Sequence, residues 1–218
     1  MVRRSALIVL MSLTALAGEH GRAAADTAIF AGGCFWCVEA DFDHVPGVTS
    51  TVSGYTGGTI ENPTYRNYAS GGHREAVRIE YDAARVSYAE LLDVFFHSVD
   101  PTDAGGQFCD RGASYTTAIY ALNDKQAMEA QAAKKAAEEE LGRAIVTPIE
   151  PASAFWPAEA YHQNYYRSDE RILTRFGYVT KAEAYKGYRE GCGRDARLEQ
   201  VWGAAALRGI HKQAAQAD

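Results

Sequence analysis

Two thiols bracket two large aromatics in Gly32-Gly33-Cys34-Phe35-Trp36-Cys37, directly after the apolar run Thr27-Ala28-Ile29-Phe30-Ala31. The glycine pair lets the chain turn sharply and lets other groups approach the backbone. Residues Cys34 to Asp43 read as a helix, which puts Cys34 in the first turn. Unpaired N–H groups and the positive end of the helix dipole favour a thiolate over a thiol there. The segment is suited to presenting a nucleophilic sulfur beside an apolar aromatic wall. Ordinary core packing is the competing account of Phe35 and Trp36, but a thiol and two glycines at a helix start place the motif near the surface.

The chain carries four cysteines, Cys34, Cys37, Cys109 and Cys192. An even count in an oxidising compartment suggests two structural disulfides. A chain of 218 residues needs such staples less than a mini-protein does, and this favours redox chemistry. The N-terminus points to export. Arg3-Arg4 precede an apolar stretch from Ala6 to Ala17, and Ala23-Ala24-Ala25 offers a small-residue cleavage site before Asp26, the order of a secretory signal peptide. The apolar run is short for a membrane span, and no cysteine near the cleavage site suggests a lipid anchor. The expected address is the bacterial periplasm.

Cleavage after Ala25 takes the basic count from 22 to 19 and the acidic count from 28 to 27, so the net charge moves from −6 to −8. An acidic protein of this kind is a poor partner for nucleic acid or anionic lipid. With 47% hydrophobic and 23% charged residues, the composition is that of a globular domain and excludes a disordered or fibrous chain.

The elements that must position the thiols follow from periodicity. Thr27–Ala31 reads as a strand, Cys34–Asp43 as a helix, and Val48–Gly54 as a weakly alternating strand leading to the glycine-rich Tyr55-Thr56-Gly57-Gly58. Arg74 to Tyr81 alternates as a strand with one solvated face. Ser87-Tyr88-Ala89-Glu90 is a capping box opening a helix that stops before Pro101. Tyr115–Leu122 reads as a strand, the Ala/Glu/Lys segment to about Leu141 as a helix, and Ile145–Ile149 as a short strand. The order β-α-β-β-α-β predicts an α+β fold with a two-layer ferredoxin-like core, an added helix and strand, and an irregular aromatic-rich C-terminal segment. The domain is expected over 26–203, with a disordered tail over 204–218.

Five separated blocks give the chemistry a more specific form. Gly33-Cys34-Phe35-Trp36, Ser53-Gly54-Tyr55-Thr56-Gly57-Gly58, Gly72-His73-Arg74-Glu75-Ala76-Val77, the run from Gln107 through Cys109-Asp110-Arg111 to Tyr115, and the run from Phe155 to Gln163 resemble, in order, the signature blocks of the peptide methionine sulfoxide reductase A family. The resemblance spans about residues 27 to 203. It implies thiol-dependent reduction of methionine S-sulfoxide, free or within proteins. Cys34 would be the nucleophile, and Glu75 the acid that protonates the departing sulfoxide oxygen. Tyr55 and Tyr115 would be hydroxyl donors to that oxygen, and Asp110 an active-site carboxylate. Phe35 and Trp36 would form the cup for the substrate methyl group.

Simple chemistry agrees with these roles. A thiolate displaces the oxygen only if that oxygen is protonated, so an acid and hydrogen-bond donors must stand opposite the sulfur. By pattern alone Glu75 reads as a solvated strand residue, the tyrosines as two of 13 that pack with wet hydroxyls, and Asp110 as a turn former.

The first products would be methionine and a Cys34 sulfenic acid, which condenses with a second thiol. Cys192, in the glycine-flanked Glu190-Gly191-Cys192-Gly193-Arg194, is the first expectation for that resolving thiol; Cys37, one helical turn from Cys34, is the second, and Cys109 the third. An external thioredoxin-like dithiol would then reduce the disulfide, with no bound cofactor. His162 reads as structural, with its ring hydrogen-bonded to a neighbouring segment. The histidines show no paired ligand spacing, so no metal is expected, and a monomer is the default state. The alternatives are a thioredoxin-like protein disulfide oxidoreductase, for which the single CxxC argues, a zinc module, and a stapled binding protein without turnover.

Overall fold

The computed structural model describes residues 26–210. The expected signal peptide, residues 1–25, lies outside them, as do residues 211–218. In chain order the elements are β1 (Asp26–Gly32), α1 (Phe35–Asp43), β2 (Val48–Thr56), β3 (Arg74–Tyr81) and α2 (Tyr88–His97). The short strands β4 (Gly106–Gln107) and β5 (Asp110–Arg111) come next, then β6 (Thr117–Ala121), α3 (Asp124–Leu141), β7 (Ile149–Pro151) and β8 (Trp156–Pro157). The chain continues through β9 (Arg171–Thr174), β10 (Gly177–Thr180), α4 (Lys181–Gly191) and α5 (Arg194–Trp202). Among the described residues no helix is long and apolar enough to cross a membrane.

The fold is α+β. One six-stranded sheet runs in the order β7-β6-β1-β3-β2-β8, with β1, β3, β2 and β6 paired antiparallel and β7 parallel to β6. Because side chains alternate along a strand, Ala28 and Phe30 of β1 and Val77, Ile79 and Tyr81 of β3 share a core with Val38 and Phe42 of α1 and Leu91, Leu92 and Phe95 of α2. Burying each of these large side chains contributes about 1.5–3 kcal/mol. Ile29, Ala31, Ala76, Ala118 and Tyr120 form the opposite face, covered by Ala152 and Phe155.

Local chemistry sets the helix ends. The Ser87 side chain accepts from Glu90 N–H while the Glu90 carboxylate accepts from Ser87 N–H, which starts α2. At α1 the turn depends on Gly33, whose φ is +83°, a region that costs other L-residues about 1–2 kcal/mol. A Cβ there would also stand 2.6 Å from Gln107 Cβ. The Gln107 side chain cannot yield readily, because its amide bonds Asp100 N–H, Asp100 O and Gly106 O. Gly33→Ala is therefore expected to lower stability by about 2 kcal/mol or more. A shift of the urea midpoint at unchanged slope measures it, and a loss under about 0.5 kcal/mol would refute this account of the turn.

The expected elements need four corrections. The strand at Tyr115–Leu122 begins only at Thr117, because Ala113–Tyr115 forms a 3-10 turn. The strand placed at Ile145–Ile149 is β7, at Ile149–Pro151; Val146 N–H goes instead to Pro101 O. The C-terminal segment is not irregular, since the β9–β10 hairpin and two helices occupy it, α4 opening on a Thr180/Glu183 capping box. Nor does order stop at residue 203. Leu207 is buried and gives its N–H to His97 O, and Arg208 binds Asp93 and Glu140, so the chain stays attached as far as these contacts reach.

Candidate active site

Cys34 is the N-cap of α1. Its carbonyl accepts from Cys37 N–H at 3.0 Å and Val38 N–H at 3.3 Å, and the residue as a whole is partly exposed. One turn on, Cys37 is buried against Ala40, Tyr165, Ala184 and Tyr185. The two sulfurs share a hydrogen bond, and this decides their charges. The bond from Cys34 is the largest influence lowering the Cys37 thiol, to about 7; Arg194 and Arg189 help, against burial. Cys34 is pushed up by the same bond first, then by burial, by Cys37 and, once they ionise, by the carboxyls of Glu75 and Asp110. A thiolate on Cys34 from the helix end alone is thus not what the site favours. One proton is shared by the pair, so the charge belongs to the two sulfurs together, with Cys37 pulled down and Cys34 pushed up.

Glu75 is opposite Tyr55 in the β2–β3 register and only 2% exposed. Its side chain has the same parity as Val77 and Ile79, so it points to the helix-covered face, not to solvent. Phe35 N–H donates to its Oε2 at 2.9 Å, which sets the carboxyl against the turn that carries Cys34. Burial raises its pKa to about 8, outweighing the stabilising hydrogen bonds from Phe35 N–H and the Tyr68 hydroxyl. Glu75 is therefore a protonated acid near neutral pH.

The hydroxyls are distributed differently from expectation. Tyr68 Oη is 3.0 Å from Glu75 Oε1 and 3.2 Å from Tyr115 Oη. A phenol has one proton to give, so Glu75, Tyr68 and Tyr115 form a chain in which each hydroxyl gives in one direction and accepts in the other. Tyr115 is thereby brought to the acid. Tyr55 is fully buried with its ring stacked 4.7 Å from that of Tyr68, but its hydroxyl donates to Glu159 Oε2 at 3.0 Å. Glu159 also accepts from Tyr65 N–H, and its pKa is lowered.

Phe35 and Trp36 occupy the first turn of α1, next in the chain to Cys34. Phe35 is buried with its ring 5.0 Å from that of His162, and Trp36 stacks on Tyr165 at 3.7 Å. His162 lies 4.5 Å from the Tyr65 ring. Burial lowers its pKa to about 4, so the imidazole is neutral. Its expected hydrogen bond is not made, since neither ring nitrogen has a partner, and Trp36 Nε1 has none either. Four aromatic side chains and a neutral imidazole thus cluster next to the turn that carries Cys34.

Asp110 lies in β5, half-buried, its pKa raised by burial and eased by Arg194. The neighbouring Cys109 forms a disulfide with Cys192, with Cα atoms 5.0 Å apart. The first expectation for the resolving thiol is thus already bonded to the third, while the second is the one in contact with Cys34. Among the described residues the one group with three potential metal ligands is Cys109, Asp110 and Cys192. Two sulfurs joined to each other have no thiolate to offer an ion, so this arrangement does not fit zinc.

A family described as Peptide methionine sulfoxide reductase matches residues 26–195. The chain belongs to the peptide methionine sulfoxide reductase family. It is 58% identical over 183 residues to Peptide methionine sulfoxide reductase MsrA 2 of Rhizobium meliloti (strain 1021), covering 84% of this chain and 86% of that one. Peptide methionine sulfoxide reductase MsrA of Bacillus subtilis (strain 168) is 45% identical over 183 residues, covering 82% and 97%. Of solved structures, methionine sulfoxide reductase A of Corynebacterium diphtheriae aligns with a TM-score of 0.60 at 31% identity over 66% of this chain and 75% of that one. Mxr1 from Saccharomyces cerevisiae in reduced form aligns with a TM-score of 0.62 at 25% identity, covering 73% and 94%. Membership sets aside the disulfide-oxidoreductase and binding-protein alternatives.

Sequence reasoning missed four residues of this reductase site. Tyr68 sits in a loop without periodicity, and nothing marked it. Glu159 lies within the Phe155–Gln163 block and was readable only as part of it. Arg189 and Arg194, whose charges lower the Cys37 thiol, belong to helices that were read as irregular chain.

Proposed function

We propose that this protein reduces methionine S-sulfoxide, free or within oxidised proteins, by the following assignment of residues. Cys34 is the nucleophile. Its proton passes to Cys37 through their shared hydrogen bond, and the freed sulfur attacks the sulfoxide sulfur in the cup of Phe35, Trp36 and His162. Glu75 donates its proton to the sulfoxide oxygen, and Tyr68 and Tyr115 follow the charge along their hydroxyl chain. Tyr55, bound to Glu159, holds the wall on which Tyr68 stacks. Asp110 adds a second carboxyl at the rim. As the transient bond between the two sulfurs breaks, the protonated oxygen passes from the substrate to Cys34, so methionine leaves and Cys34 is left as a sulfenic acid. Attack by Cys37 forms the Cys34–Cys37 disulfide and releases water.

An external dithiol of thioredoxin type then restores both thiols by exchange, so no bound cofactor is needed. The proximity of Cys37 supports it over Cys192 as the resolving thiol. The sheet order β6-β1-β3-β2 supports a ferredoxin-like core extended by β7 and β8. The charged, apolar, small-residue order of residues 1–25 supports a periplasmic address for a monomeric enzyme. A periplasmic address requires that the donor be a thioredoxin-like domain on the same side of the membrane.

One observation carries the reading: a buried, protonated carboxyl bonded to the peptide N–H that follows a partly exposed cysteine. An assay with the two separated sulfoxide epimers and dithiothreitol tests it. The S epimer is expected to be consumed with one equivalent of dithiol per methionine formed, and the R epimer to be left. Equal consumption of both epimers, or of neither, would refute the assignment.

A further inference from the structure

Arg194 is among the most enclosed residues of the protein, 2% exposed. A guanidinium so far from water requires compensation. Its hydrogen bonds go to main-chain carbonyls, Nη2 to Ser98 O at 2.7 Å and Nη1 to Gly32 O at 3.5 Å, while Nε has no partner. The carboxylate of its ion pair, Asp41 at 3.7 Å, is already held by Arg189 at 2.8 Å. Arg189 has a second carboxylate in Asp195, at 2.7 Å. Arg194 is therefore the cation of this cluster whose charge is least spent on carboxylates. The groups that act on Cys37 are Cys34 at the N-cap of α1, Asp41 of α1, Glu75 of β3, Tyr185 and Arg189 of α4, and Arg194 of α5, which pairs with Asp41 one turn beyond Cys37. Of the two cations, Arg194 has the larger effect on that sulfur.

The disulfide bears on the same guanidinium. Cys192 is two residues before Arg194, and Cys109 follows Phe108, whose ring lies 4.5 Å from the guanidinium carbon. The covalent bond thus closes a ring around a cation–π pair.

We propose that Arg194 is a positioning residue that acts electrostatically on Cys37, and that the Cys109–Cys192 disulfide serves by fixing this guanidinium and not by passing electrons. The proposal rests on Cys37 being the resolving thiol. It determines which sulfur the reductant meets. The donor thiolate attacks the sulfur of Cys34, the less buried residue of the Cys34–Cys37 disulfide, forming a donor–Cys34 mixed disulfide and expelling Cys37 as a thiolate. The donor's second thiolate then attacks the donor sulfur, releasing Cys34 as thiolate and leaving the donor oxidised. The thiol that ionises more easily is the faster leaving group.

The test uses Cys34→Ser, in which Cys37 is the one free thiol while Cys109–Cys192 stays closed. The rate of alkylation by iodoacetamide is followed from pH 5 to 10. Adding Arg194→Gln is expected to move the titration upward and cut the rate near pH 7 about tenfold, and Arg194→Lys to recover most of it. In a separate C109A/C192A protein, multiple turnover with dithiothreitol should continue. The same pair of substitutions on the Cys34→Ser background should shift the alkylation profile in the same direction by less. An unmoved profile in Arg194→Gln overturns the proposal. If that variant does not fold, an unmoved profile in C109A/C192A/C34S overturns it instead. Loss of recycling in C109A/C192A with the first turnover intact would make the disulfide an electron carrier, and this also overturns it. The alkylation profile needs no turnover. Failure of Cys37 as the resolving thiol would appear separately, as continued turnover by Cys37→Ser.

Discussion

Glu75→Gln is expected to slow sulfoxide reduction by about 10²–10⁴-fold while leaving substrate affinity nearly unchanged. Glutamine keeps the shape, and its carbonyl can accept the Phe35 N–H that now binds Glu75 Oε2. What it lacks is a proton to give to the leaving oxygen. The pH profile distinguishes this from a packing defect. With the carboxyl titrating at about 8, its protonated fraction falls as pH rises through that value, so the wild-type rate should decline on the alkaline side. The glutamine variant should show no such limb. Single-turnover methionine release between pH 6 and 10 measures both effects. A rate within about fivefold of wild type, with the alkaline limb preserved, would remove Glu75 from the chemistry.

The same group makes a prediction for folding. The folded-state pKa lies above the unfolded value, so the folded protein binds this proton more tightly. The resulting stability is fully present below about 4.5 and is lost as pH rises through about 8. The variant has no titration here. Urea unfolding should therefore find wild type losing ground to Glu75→Gln between pH 5 and 9.

The residues that sequence reasoning reached are those whose cause is local. A glycine with positive φ, a thiol at the next position and aromatic neighbours define the turn before α1 from a few adjacent positions, and the capping box at Ser87 does the same for α2. Glu75 was legible to a finer reading. It has the same parity as Val77, Ile79 and Tyr81, so alternation alone assigns it to the buried face, even though charges at 74, 78 and 80 make the strand look solvated. Tyr68 and Glu159 had no such signal. Glu159 reaches back 104 residues to Tyr55, and Tyr68 meets Glu75 across a loop of seven positions that has no repeat, so no period or spacing encodes either contact. The C-terminal helices were partly legible, since the Thr180/Glu183 box has the same form as the one at Ser87. What sequence could not supply is the pairing of four thiols. Connectivity depends on tertiary distance, and here it joins residues 83 positions apart.

Replacing the thiols one at a time gives the other large effect. Cys34→Ser is expected to abolish methionine formation, because a serine hydroxyl is neither ionised nor soft enough to attack the sulfoxide sulfur. Cys37→Ser should release close to one methionine per protein and then stall, its sulfenic acid unable to close onto a neighbour and detectable by a dimedone-type probe. Its first turnover should also be slower, since the hydrogen-bonded base that receives the Cys34 proton is lost. Cys192→Ser should keep recycling. In the structure Cys192 is bonded to Cys109, and reaching Cys34 would require breaking that bond. Cys37 needs only a rotation within one helical turn. Rapid-quench methionine release, compared with steady-state turnover on dithiothreitol, separates the three variants. A Cys37→Ser protein that recycles while Cys192→Ser stalls would reverse the assignment. It would require the Cys109–Cys192 bond to open first, because that bond now holds the Cys192 sulfur.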